Sequence, residues 1–457
     1  MYVCFSHPIC FTMTKRFSLV ILILFITIAP IFADELDEML WSLPGVASVE
    51  PLESEDGVAK RLLMFEQQVD SKDLRQGTFL QRIVLKHRGF DRPTVIVTEG
   101  YSNEYALHPR YKEELSDLLG ANTLMVEHRF NGASSPVKQG KTEEKQGKTE
   151  EKKEYSSMLW EYLTVENSAC DYHNIRLVFG KIYQKKWFST GISKGGQTAL
   201  FYRVFFPDDV TANVSYVAPL NKALEDGRHE KFLRQVGTQE VREKLLAYQR
   251  ATLTRRNEIV PLLADYSHSM GYEFRVTPDE VFDLMVLEYP FAFWQWGDDE
   301  STIPDASADA EVLWNSLREK CEPNYFSRNT PYTPFNVQAM REIGYYGYDV
   351  KPFEGLLVRP TYEGYMRRVM IPDDLDYLEF KGDLYERCQQ FLREKDVPAM
   401  FIYGEVDPWS ATRVVLPCKK KNMHVFVQPG GSHRSRVGNM PEGMKKEILR
   451  ILKKWAK

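Results

Sequence analysis

Residues 187 to 207 read WFSTGISKGGQTALFYRVFFP, an apolar strand that turns within a few residues into an unbroken helix stopped at Pro207. A backbone that reverses this sharply has no room for side chains where strand and helix meet. Gly191, Gly195 and Gly196 supply that room. A strand passing at once into a helix is a βα unit, so an α/β architecture is the first expectation.

The rest of the chain keeps the alternation. RLLMFEQQVD, GTFLQRIVLKHRG and RPTVIVTEGY, between residues 61 and 101, predict two antiparallel strands leading into a buried one. A short helix at 114–120, an apolar strand at 123–130, a helix within 155–180 and a strand at 210–220 follow. From 221 to 395 the periods are helical and rich in aromatics. Strands return only with VPAMFIYG (397–404) and HVFVQPGG (424–431), before an amphipathic helix at 441–457. The pattern predicts an α/β sheet core in two parts, 34–220 and 396–457, with a helical cap at 221–395 inserted before the later strands.

Two segments stand apart from this plan. KQGKTEE at 138–144 recurs unchanged at 145–151; with no apolar residue it has nothing to bury, so 138–154 reads as a solvated loop insertion. Lys15 and Arg16 precede an uncharged run from Phe17 to Ala33, and Asp34 follows. Basic residues, a short apolar stretch and a small terminal residue make residues 1–33 an export signal, giving a periplasmic or extracellular destination. A retained anchor is the alternative, at the short end of what spans a bilayer.

Fifty-nine basic against 64 acidic residues leave a net charge of −5, which provides no basic field for nucleic acid. Nor is stable membrane insertion expected once the signal is cleaved. Export leaves Cys170, Cys321, Cys388 and Cys418 in an oxidising compartment, either as disulfides or as buried free thiols. Their spacing lacks the C-x-x-C of a zinc site.

The turn at 191–195 has the form G-x-S-x-G, which lifts the Ser193 hydroxyl clear of the backbone. Serine becomes a nucleophile when a base takes its proton and a carboxylate orients that base. In this arrangement the chain order is serine, acid, histidine. Asp407 follows the strand at 397–404 in GEVDPWS, with Glu405 its nearest competitor, and His433 follows the next strand in QPGGSHRSR. Backbone amides of Lys194 and Tyr101 are the expected oxyanion donors, with Gly100 permitting close approach. Such a site needs no metal or organic cofactor.

With FEQQVD, TEGYSNEY, VEHRFNGASSP, YLTVENSACDYHNI, YPFAFWQWG, REIGYYGYD, YGEVDPW and GGSHRSR added, the chain from Leu62 to Gly438 resembles the bacterial secreted tripeptidyl aminopeptidases. These are serine peptidases with an α/β-hydrolase core and a helical cap. The chain is more distantly similar to the lysosomal Pro-X carboxypeptidase and dipeptidyl peptidase group. The resemblance implies Ser193 as nucleophile, Asp407 as acid and His433 as base, with peptide substrates cleaved near a free N-terminus. The KQGKTEE repeat departs from the family pattern.

Recognition of a free N-terminus calls for a carboxylate to hold the ammonium. The cap offers Glu288, Asp298, Asp299, Glu342 and Asp349. Gly100, Glu342, Trp294 and Trp296 are the substrate-binding candidates, and the aromatic run 289–296 is either pocket lining or cap core. A secreted esterase or lipase with the same triad, or a non-catalytic surface binding protein, remains open at this point. Oligomeric state is not legible.

Overall fold

A computed structural model describes residues 35–137 and 158–457. The predicted export signal and the repeat insertion lie outside the described residues. Nine strands form one sheet among those described: β1 (Val46–Leu52), β2 (Ala59–Gln68), β3 (Thr78–His87), β4 (Thr94–Thr98), β5 (Asn122–Val126), β6 (Trp187–Ile192), β7 (Ala212–Tyr216), β8 (Ala399–Gly404) and β9 (Met423–Gln428). Their order is β1-β2-β3-β5-β4-β6-β7-β8-β9. The first four pair antiparallel, and every pairing from β5 through β9 is parallel.

Sequence explains this division. β4, β5 and β8 are buried along their whole length, as strands covered on both faces must be. β1 escaped prediction because VASVEPL lacks clean alternation and contains Pro51. It pairs only with β2, and an edge is where a strand tolerates proline. Because β4 lies between β5 and β6, the chain leaves β4 to one side and crosses to the other. In open α/β sheets, ligands bind at the carboxyl ends of strands beside such a reversal.

Helices cover both faces. On one, α1 (Glu35–Trp41), α3 (Val165–Phe179) and Tyr202 of α4 (Lys194–Phe205) pack on Leu63, Ile83, Ile96 and Leu124. On the other, α2 (Glu114–Leu119) and α12 (Glu442–Ala456) pack on Val97, Met125, Phe188 and Ile402. α3 begins later than the sequence suggested, because the Thr164 hydroxyl caps it, accepting the Asn167 amide at 3.1 Å.

Between β7 and β8 lie α5 (Arg228–Leu233), α6 (Gln239–Thr254), α7 (Arg256–Met270), α8 (Pro278–Trp296), α9 (Ala310–Lys320), α10 (Thr333–Gln338) and α11 (Asp383–Glu394). α8 is buried nearly all round and forms the centre of this insertion. Proline starts it and left-handed Gly297 ends it. Pro290 inside α8 brings no N–H for the Val286 carbonyl; Gln249 Nε2 donates to that carbonyl instead, at 2.7 Å. α11 returns to the sheet layer, where Arg387 lies 3.7 Å above the Phe205 ring. Cys170, Cys321, Cys388 and Cys418 are free thiols; Cys321 and Cys388 are buried, as one of the two expected states had it, whereas Cys170 is half-buried and Cys418 exposed. Among the described residues, no helix is long and apolar enough to cross a membrane.

Candidate active site

Ser193 stands between the end of β6 and the start of α4 with φ 57° and ψ −123°, a conformation non-glycine residues rarely hold. Its surroundings enforce it. A Cβ on Gly191 would come within 2.2 Å of the Gly195 carbonyl oxygen, on Gly195 within 2.7 Å of the Thr98 oxygen, and on Gly196 within 2.8 Å of the Tyr216 oxygen. Only glycines let β4, β6, β7 and α4 meet here. The Ser193 amide donates to the Tyr216 carbonyl at 2.9 Å. Lys194 opens α4, so its amide has no acceptor within the helix.

Beyond β8, Asp407 is fully buried and carries two separate bonds. Its Oδ1 accepts the Trp409 amide at 3.1 Å, and its Oδ2 lies 2.8 Å from His433 Nδ1. Glu405 is engaged elsewhere: its Oε2 accepts the Gly430 amide at 2.7 Å and so braces the loop that carries the histidine. His433 is 5% exposed. Its amide donates to the Gln295 carbonyl at 2.9 Å, and its ring meets Trp296 edge-on at 6.0 Å. The last residues of α8 therefore form one wall around the imidazole.

The loop after β4 closes the other side. A Cβ on Gly100 would fall 2.7 Å from the Gly195 nitrogen, so this loop touches the turn at Ser193 directly. Tyr101, Ser193, Lys194, Phe335 and Trp409 line a common narrow cleft. The Tyr101 hydroxyl interacts with Ser193, while the Gly100 and Tyr101 amides lie against the Glu99 carboxylate. The Tyr101 amide, expected as an oxyanion donor, contributes with the Gly100 amide to holding the Glu99 carboxyl, whose pKa burial pushes up and these donors pull down.

Lys194 runs behind this loop and donates from Nζ to the Gly100 carbonyl at 2.7 Å, with the Tyr101 ring 5.7 Å away. Burial pulls the Lys194 ammonium down to about 7, opposed by Glu99 and Glu342. The VEHRF segment supplies further supports that sequence reasoning did not single out as site residues. Glu127 accepts from Ser102 at 2.9 Å and Ser134 at 2.7 Å, the His128 amide donates to the Tyr101 carbonyl at 3.2 Å, and Arg129 binds Asp171 at 2.7 Å. Burial drives the His128 pKa well down, which keeps its ring neutral.

The substrate-binding candidates separate. Gly100 and Trp296 lie at the site. Trp294 is packed in the insertion's core, filling the space above Gly237. Glu342 faces a different cleft, shared with Asp70 and Lys72, where its Oε1 accepts the Val165 amide at the start of α3, 2.7 Å away. Asp298 pairs with Lys320 at 2.9 Å, Asp349 with Arg234 at 3.0 Å, and Asp299 caps the Ser301 amide at 2.9 Å. Glu288 differs from all of these. It is 8% exposed and receives the hydroxyls of Tyr346 and Tyr348, each at 2.8 Å, with no ion pair among the described residues.

The chain is 28% identical over 433 residues, 93% of its length and 85% of the relative's, to a prolyl tri/tetrapeptidyl aminopeptidase of Streptomyces mobaraensis. Among solved structures it is similar to a proline iminopeptidase of Mycobacterium smegmatis, with 13% identity, 90% of this chain and 99% of that one covered, and a TM-score of 0.37. A monoacylglycerol lipase of Paleococcus ferrophilus is also similar, with 15% identity, 82% and 98% covered, and a TM-score of 0.34. At these scores the α/β-hydrolase fold rests on the strand order and the turn at Ser193. The family model described as PS-10 peptidase S37 matches residues 29–457. The chain belongs to that family of peptidases.

Proposed function

We propose that this peptidase is an exported serine exopeptidase that releases tri- or tetrapeptides from free N-termini through an acyl-enzyme on Ser193. The carrying observation is the buried Asp407–His433 hydrogen bond, 2.8 Å long, on the loops that flank the Ser193 turn. Asp407 accepts a hydrogen bond from the Nδ1–H, which holds the imidazole in the tautomer that leaves Nε2 as the acceptor for the Ser193 proton. Ser193 then attacks the scissile carbonyl. The Lys194 amide and the Tyr101 hydroxyl hold the oxyanion. His433 returns the proton to the leaving amine, and water repeats the cycle on the ester.

The step length follows the name of the Streptomyces relative, and export follows the N-terminal sequence pattern. A serine-directed phosphonate is expected to label the wild type and not Ser193→Ala. Mass spectrometry of unblocked mixed peptides is expected to return fragments three or four residues long from the N-terminus. Folded wild-type protein that takes no label would sink the serine mechanism.

A further inference from the structure

Buried polar groups nearly always have hydrogen-bond partners, so an exception beside a nucleophile calls for a reason. Around the Ser193 cleft most polar side chains are accounted for. Lys194 Nζ donates to the Gly100 carbonyl at 2.7 Å, and the Tyr101 hydroxyl meets Ser193. Asn221 uses both ends of its amide: Nδ2 donates to the Gly344 carbonyl at 3.1 Å, and Oδ1 lies 3.1 Å from His229 Nε2. Gln197 lines the same cleft at 2% exposure, and its side-chain amide has no hydrogen-bond partner among the described residues. The indole N–H of Trp409, a residue 8% exposed, has none among them either.

Helix α4 puts Gln197 there. Its backbone amide donates to the Ser193 carbonyl at 2.9 Å, so its side chain leaves the helix one turn beyond the nucleophile and on the same face. Tyr101, Pro219, Phe335 and Trp409 enclose it with rings. An amide left unpaired among them carries a desolvation cost that a bound ligand removes. The free volume of the cleft is about 10 Å³, about the room of one water, so what reaches Gln197 is a single polar atom rather than a whole side chain. Unpaired hydrogens on both Gln197 and Trp409 favour an acceptor in that position. The scissile carbonyl is already served by the oxyanion donors. The next acceptor toward the N-terminus of a substrate is the carbonyl of the preceding peptide bond, which every peptide carries whatever its sequence.

We propose that Gln197 is a substrate-binding residue whose side-chain amide donates to the carbonyl of the peptide bond preceding the scissile one, so that the site reads a peptide rather than an isolated acyl group. This rests on the serine-peptidase reading above. On entry of the substrate that oxygen fills the space beside Gln197 Nε2. A bare acyl group leaves the amide unpaired, and a site built to hydrogen-bond its ligand rejects the analogue that lacks the bonding atom.

The test uses purified wild type and Gln197→Met, which fills a similar space without an amide. Three readouts are compared: kcat/KM on an unblocked tripeptidyl anilide, kcat/KM on the same anilide with sulphur for oxygen in the peptide bond preceding the scissile one, and the rate of Ser193 labelling by a small alkyl phosphonate that carries no peptide group. Gln197→Met is expected to lower kcat/KM on the anilide about 10–10²-fold relative to its own labelling rate. Sulphur is the weaker acceptor, so its introduction is expected to slow wild type several-fold and to make no difference to Gln197→Met. An anilide-to-labelling ratio that Gln197→Met leaves unchanged, whether both rates hold or both fall, overturns the proposal alone. So does a sulphur effect of equal size in the two proteins. Folded wild type that takes no label overturns the serine reading and this proposal with it. If Gln197→Met does not fold, Gln197→Asn, which withdraws the amide by one methylene, is judged by the same two comparisons.

Discussion

Replacing Asp407 with asparagine separates charge and orientation from shape. The carboxylate uses its two oxygens differently, one for the Trp409 amide at 3.1 Å and one for His433 Nδ1 at 2.8 Å. Asparagine has one accepting and one donating end. If its oxygen stays on Trp409, its NH₂ faces Nδ1 and fixes the imidazole with the proton on Nε2, where no lone pair remains for Ser193. If the amide turns over, two N–H donors are opposed in a fully buried place, at about 1–3 kcal/mol. The productive orientation is then a minority of about one in ten to one in a hundred.

Loss of imidazolium stabilisation adds to this, for a fall in kcat of about 10³–10⁴-fold. Initial rates on an unblocked tripeptidyl anilide measure it, with thermal melts to establish that the fold is kept. Glu405→Gln provides the contrast, because the side-chain oxygen that accepts the Gly430 amide survives the change; its rate is expected within about threefold of wild type. Asp407→Asn retaining more than about a tenth of the activity, or Glu405→Gln falling as far as Asp407→Asn, would refute the reasoning.

Three further outcomes follow from the same structure. Arg129→Met strands the buried Asp171 carboxylate and leaves the Val69 and Tyr162 carbonyls without their donor, so it is expected to cost about 3–5 kcal/mol in urea unfolding; a loss under about 1 kcal/mol contradicts this. Burial raises Glu288 to about 7, so the folded chain keeps a proton that the unfolded chain releases near 4.5, and stability falls as pH rises through that window. Glu288→Gln removes that slope, and its melting temperature should gain on wild type between pH 4.5 and 7, by up to about 3 kcal/mol in stability; Glu342, also raised to about 7, is common to both proteins and cancels. A gap that is flat or of opposite slope refutes the assignment. Under native alkylation mapped by mass spectrometry, exposed Cys418 is expected to react first and buried Cys321 and Cys388 only on unfolding; a disulfide among the four described cysteines contradicts the structure.

The turn at Ser193 and the strands β4, β6 and β8 were legible because their signals are local: a glycine set that one tight junction requires, and unbroken apolar runs that only a doubly covered sheet accommodates. What escaped depends on partners distant in the chain. Nothing near Glu342 in sequence says that the start of α3 will take its carboxylate, and nothing near Glu288 says that no basic side chain will come. Trp294 and Trp296 show a third kind of limit. Two positions apart on a helix they point to nearly opposite sides, and which side meets the histidine loop is decided by where α8 ends, at Gly297.

The bond from the His433 amide to the Gln295 carbonyl joins the end of α8 to the loop that carries the imidazole. Gly297 abuts Ser432 in the same place, where an added Cβ would come within 2.8 Å of the Ser432 Cβ. Any displacement of the end of α8 must break that bond or drag the imidazole with it. The position of the imidazole is thereby tied to the position of the end of α8.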